Sequence, residues 1–422
     1  MRHLRLILLL VLLPAGSGCG LFFRNTIETP SARFWSNSSI DEISGQVEIA
    51  NSIIEEYRQL FWEFSPEVLR PEILYEEESL SRQNIYTEET RQEGYYLPAF
   101  DLVHLKPRRP RGEEDDRTVF LHELAHHFLI SGYPDTADRY WLNEGFACCL
   151  EISFFDDDGS LVTPLFHPRL YQEARHLRRE LGEIAFTEMV GSLITARWQQ
   201  FHRGEEKMNR YAVSWSLFWF LLDSAEGSLQ ERLATVVSLD DLEVSKRLPE
   251  LARALSVGIE TRLARICSMP ELRRWALGEW LEVPWPDGSR LRPILETELE
   301  ENPGDPEVWK MLAQLANRPH RRLSSRDRIN LHSRIREQLE LGSAAIKIAL
   351  CEQIAEGART RRYTTALIDL LEDADGAIRA AAARALARLF RKPTIISPVF
   401  WKNAPEEKRQ AEVVEWREWI AD

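Results

Sequence analysis

Residues 117–151 read RTVFLHELAHHFLISGYPDTADRYWLNEGFACCLE. Residues four apart on a helix share a face, so His122 and His126 can set both imidazoles around one ion. Glu123 lies about 100° round from His122, within reach of a water on that ion without ligating it. A catalytic zinc takes about three protein ligands and leaves a position for water, so one more ligand is required. Glu144 is the natural candidate, 18 positions beyond His126, after a break at 131–135 that turns the chain back into an antiparallel helix. Gly145 in mid-helix costs about 1 kcal/mol relative to alanine, which implies a close approach, expected against the histidine helix. Glu151, seven residues on, shares the face of Glu144. It either holds the outer nitrogen of a ligand histidine or is solvated. His127 faces about 100° away from His126, either behind the site or on the surface.

The pair HELAH and WLNEGFA resembles the gluzincin metallopeptidases, most closely their aminopeptidase branch. The resemblance implies an α+β, zincin-like domain with one Zn2+ held by His122, His126 and Glu144. Glu123 is then the general base that activates a zinc-bound water for hydrolysis of a peptide or protein substrate. The likeness spans about residues 95–225. The Gly-x-Met-Glu-Asn motif with which that branch grips a substrate's amino terminus does not occur upstream of His122. The spacer of 17 residues between His126 and Glu144 is one shorter than the branch usually has. The resemblance therefore carries the metal site and not aminopeptidase specificity. It also implies a small sheet ahead of the histidine helix, with Tyr95 to Leu105 as an edge strand along which a peptide can add. The helix at 209–223 is similar to the one that follows the metal helices in this group, where a tyrosine hydrogen-bonds the oxyanion. Tyr211 is the candidate, against a plain core tyrosine, with Arg210 and His202 as other choices.

Around this centre, 422 residues bound about two or three domains. A hydrophobic content of 44% and 13 tryptophans supply real cores. The net charge of −14 argues against nucleic acid as a partner. Residues 1–19 read as an export signal, with Arg2 and Arg5 forming a charged start and an apolar run from Leu4 to Leu13 that is too short for a bilayer. Its end resembles the lipobox of bacterial lipoproteins, with Gly16 where leucine is usual and Cys19 as the acylated residue. That implies a lipid anchor at Cys19 in the cell envelope, facing the periplasm. Residues 20–45 read as a tether, 47–64 as a helix, and 73–77 and 84–89 as strands. The loop at 107–116 ends on acidic residues that favour a helix start, with Asp115 or Asp116 as its cap. Cys148, Cys149, Cys267 and Cys351 are either packed thiols or take a disulfide or metal role.

Helical patches follow at 169–183 and 184–198, then mixed helices over 225–280. The break at 283–288 reads as the boundary between a metallopeptidase-like domain, 46–283, and an all-helical domain, 290–422. Within the latter, LIDLLEDADGAIRAAAARALARLF at 367–390 resembles one HEAT-type helical hairpin. Such units stack to bury their faces and present surface to a protein partner. A rival reading is an envelope scaffold that uses the 290–422 module while the site is idle. A third is zinc-dependent hydrolysis of a non-peptide bond.

Overall fold

In the computed structural model the described residues are 25–36, 40–60, 70–75, 94–97, 102–105, 113–156, 160–197, 200–201, 207–283, 286–318, 322–357, 361–390 and 397–421. The export signal, Cys19, the strand expected at 84–89 and His202 lie outside them. The chain divides into two units, Met1–Ile259 and Glu260–Asp422. The first is α+β with a small sheet and the second is helical. No helix among the described residues is long and apolar enough to cross a membrane.

The sheet of the first unit is built from β1 (Asn25–Glu28), β2 (Arg33–Ser36), β3 (Glu72–Tyr75), β4 (Gly94–Leu97) and β5 (Leu102–Leu105), in the order β1-β2-β3-β5-β4. β2, β3 and β5 run parallel, and β1 and β4 are antiparallel edges. Phe34, Ile73 and Val103 stand in register across the three central strands and are buried, as the period of 2 requires of one covered face. This corrects two expectations. Residues 25–36 of the supposed tether form a paired hairpin, whose four-residue strands are too short to show periodicity in a polar sequence, and residues 40–45 are already helical. The stretch 95–105 is also not one edge strand: it is the β4–β5 hairpin, with β4 at the edge and β5 inside.

Against this sheet lies α2 (Glu113–Gly132), packed on β4 and β5. It begins three residues earlier than an Asp115 cap would place it. Ahead of it in the chain, α1 (Ile40–Leu60) buries Ile53, Ile54 and Tyr57, and the Tyr57 ring meets Phe128 of α2 edge-on at 5.2 Å. After a 3-10 turn at Pro134–Thr136 comes α3 (Tyr140–Leu150), in which every residue from Trp141 to Leu150 is buried. Arg139 donates to the carbonyls of Val237 and Leu239, each at 2.8 Å, and Asn143 donates to Thr136 at 2.8 Å. These bonds fix the start of α3. A short hairpin, β6 (Phe154–Phe155) with β7 (Leu161–Val162), leads to α4 (Pro168–Ile194). Gly182 breaks α4 at φ +76, where the two expected helical patches meet. α5 (Lys207–Ser224) then packs on both α3 and α4.

Gly145 marks the tightest approach in this layer, and its partner is not the one the sequence suggests. A Cβ at Gly145 would stand 2.6 Å from both Phe218 Cβ and the Ser214 carbonyl oxygen. The helix crossing it is therefore α5, not the histidine helix. One step round α3, Glu144 is left to face α2.

The unit is completed by α6 (Leu229–Ser238) and α7 (Asp241–Ala254), both opened by capping boxes, at Ser228 with Glu231 and at Asp240 with Glu243. Tyr171 of α4 donates to the Val257 carbonyl at 2.8 Å, tying the end of the unit to its middle. α8 (Ile259–Ile266) starts at the division.

The second unit holds α9 (Pro270–Glu282), α10 (Gly288–Glu301), α11 (Pro306–Asn317), α12 (Ser325–Leu341), α13 (Ala344–Gly357), α14 (Thr364–Asp369), α15 (Gly376–Phe390), α16 (Pro398–Asn403) and α17 (Glu406–Ala421). α9 packs on α10 and α11, so the division falls upstream of the 283–288 break. The end of that break is a helix cap: Asp287 opens α10 and accepts from the Ser289 N–H at 3.1 Å. The hairpin expected at 367–390 is present as α14 against α15, and α11, α13 and α15 pack in succession. Arg379, buried in α15, donates to the carbonyls of Asp373, Ala374 and Trp401, which locks the turn before α15 to α16.

One buried polar pair gives this unit a pH dependence. His332 Nδ1 of α12 meets the Tyr363 hydroxyl. Burial, with the Arg362 and Arg328 charges, pushes the imidazole down to about 4. In the unfolded chain it titrates near 6.5, so between these pH values only the unfolded state takes the proton. The stability that the neutral ring contributes is present above about pH 6.5 and is lost as pH falls toward 4. His332→Gln is expected to flatten the pH dependence of thermal unfolding in that window by on the order of 1–2 kcal/mol, a discounted figure because the ring keeps some solvent contact. An unchanged slope would show that His332 is not the group responsible.

Candidate metal centre

Two helices build the centre, for the reason the sequence gives. The period of α2 puts His122 and His126 on one face, and their rings stand 4.9 Å apart, edge to face. α3 returns antiparallel after the 3-10 turn and presents Glu144, which is 6% exposed. Its Oε2 is 3.3 Å from His122 Nε2 and 3.7 Å from His126 Nε2. These three atoms form a donor set that can hold a metal ion.

The spacing itself tests the fit. Ligand atoms about 2.0–2.2 Å from a tetrahedral ion sit roughly 3.3–3.6 Å from one another, close to the two distances observed. The electrostatics agree. A carboxylate buried between two imidazoles requires a compensating cation. Burial pushes His122 down, but hydrogen bonds to Cys148, Glu144 and Glu151 carry it well above the usual imidazole range: the pocket favours positive charge there, which a proton or a metal ion can supply.

The outer nitrogen of His122 is also held. Its Nδ1 is 2.7 Å from Glu151 Oε2, so Glu151 lies against His122 rather than in solvent. The other oxygen of Glu151 is 3.2 Å from His167 Nε2. Burial pushes the Glu151 carboxyl up, and the hydrogen bonds with His122 and His167 more than reverse this, holding it at about 2. It is a carboxylate at any working pH.

Tyr211 enters from the first turns of α5, its ring 6.2 Å from that of His122. Burial, then the Glu144 charge, pushes its hydroxyl far above the ordinary phenol range. It therefore stays a donor. Glu123 is half-buried on α2, and its charge acts on Tyr211 in the same direction. Thus His122, His126, Glu144, Glu151, Tyr211 and Glu123 come together from one stretch of helix and two elements beyond it. Arg210 points elsewhere, donating to the Phe201 carbonyl at 2.8 Å. His127 is fully buried, with its ring 5.9 Å from Tyr96 of β4, which excludes a surface role.

Two further neighbours stand at the site, and of these only His167 escapes a sequence reading. Cys148 lies with His122 and Glu151 in a second compact donor group. Burial pushes its thiol up to about 12, so it is a neutral packed group. Cys149, Cys267 and Cys351 are likewise buried and unbridged, which settles packing over disulfides in this structure. His167 lies beyond the β6–β7 hairpin, and its only signal was the Pro168 that follows it at a helix start.

No family model, curated protein or solved structure matches this chain.

Proposed function

We propose that the first unit is a zinc-dependent metallopeptidase of the gluzincin type, acting in the cell envelope. The observation that supports this best is the convergence of His122 Nε2, His126 Nε2 and Glu144 Oε2 at metal-ligand spacing. Glu123 is one residue along the same helix. Two imidazoles and a carboxylate favour zinc over the oxygen-seeking cations magnesium and calcium. When bound, zinc polarises the scissile carbonyl and lowers the pKa of water toward 7.

The protein's own groups do the rest. Glu123 takes a proton from the attacking water and returns it to the leaving amine. Tyr211 donates its O–H to the oxygen on which negative charge develops. Glu151 holds the proton on His122 Nδ1, which leaves the Nε2 lone pair for the metal side. β4, the antiparallel strand that ends the sheet order beside α2, is the strand along which an extended peptide aligns in this reading. The second unit, built of stacked helices, offers surface to a protein partner, and Cys19 is the point of membrane attachment in this reading.

The test is digestion of a mixed peptide library by the zinc-loaded full chain. Cleavage is expected, and Tyr211→Phe should cleave roughly 10²-fold more slowly at unchanged zinc content, the usual effect of losing one oxyanion donor. No cleavage of any peptide by the loaded wild type would overturn the reading.

A further inference from the structure

We propose that His167 is a positioning residue that fixes, through Glu151, which nitrogen of His122 is left for the metal; this rests on the metal-centre reading above. The argument is one of hydrogen-bond direction. His167 caps α4, and its Nδ1 accepts from the Leu170 N–H at 3.4 Å. Pro168 has no N–H, so the cap is aimed one turn further on. A ring nitrogen that accepts carries no proton, so the neutral imidazole carries its proton on Nε2. That Nε2–H faces Glu151 Oε1 at 3.2 Å and donates to it.

Glu151 Oε2 is then left to accept from His122 Nδ1–H at 2.7 Å. With an imidazole N–H on each oxygen, the carboxylate cannot turn away. The lone pair of His122 is consequently on Nε2, the atom that faces Glu144. Trp215 of α5 fixes the His167 ring from the side, edge to face at 6.2 Å. The start of α4 therefore holds the metal side in its binding tautomer from two residues away.

The experiment measures the Zn2+ dissociation constant of the full chain by competition with a chromophoric chelator. His167→Phe keeps the ring against Trp215 but removes the donor, and is expected to bind zinc about tenfold more weakly, at the low end for partners behind a ligand. His167→Gln restores a donor and should bind within about threefold of wild type. Combining His167→Phe with Glu151→Ala should bind no more weakly than Glu151→Ala alone, because His167 acts only through Glu151. Should His167→Phe fail to fold, His167→Asn takes its place, since the shorter amide caps α4 without reaching Glu151. Wild-type affinity in the donor-free variant, or fully additive losses in the double variant, would overturn the relay alone. A wild-type chain with no zinc affinity would overturn the relay and the metal centre together.

Discussion

Glu123→Gln is expected to lower kcat for peptide cleavage by about 10²–10⁴-fold, the range for loss of a general base, while zinc content stays at the wild-type level. The amide has the size of the carboxylate, so packing on α2 is kept. It cannot accept a proton, so the attacking water stays neutral. The two effects separate because Glu123 is not one of the three converging donors, whereas the histidines one residue before and three after it are. Steady-state cleavage of a library-derived peptide, with elemental analysis of the same sample, checks both. Normal turnover would remove Glu123 from the mechanism. Loss of zinc together with activity would place it among the ligands.

Gly145→Ala is expected to destabilise the first unit by roughly 3 kcal/mol, the upper end for overpacking. The added Cβ meets the Ser214 carbonyl oxygen and Phe218 Cβ, each 2.6 Å away. Both atoms are rigidly attached to the backbone of α5, so no rotamer change relieves the clash. α3 and α5 must separate instead. For a unit of this size the shift in Tm is roughly 10 °C, read by calorimetry of the full chain. Separation also draws Tyr211 away from His122, so cleavage should fall in the surviving folded fraction. A Tm within about 2 °C of wild type would show that the helices are not pressed together as described.

The sequence made the donor set legible because a helical period is a local rule. His122 and His126 needed only a four-residue spacing, and Glu144 only a turn long enough to reverse the chain. Tyr211 was found through the resemblance of its helix, and Glu151 through the periodicity of α3. Where tertiary partners decide, local rules fail. Gly145 announced a close contact but not with which helix. His167 reaches Glu151 across a hairpin, a distance that no spacing encodes. The first hairpin of the sheet went unread because strands of four residues carry almost no alternation, and a polar, serine-containing stretch imitates a linker. The break at 283–288 misled for a related reason: Pro and Gly punctuate turns inside a helical unit as readily as between units. What decides is packing, and α9 packs forward onto α11.

The most direct test of the whole account is the metal content of the purified full chain and of Glu144→Ala, by elemental analysis. One zinc per chain in the wild type, lost in the variant, is the predicted result. Wild type without zinc, or a variant that retains it in full, would contradict the centre built from His122, His126 and Glu144.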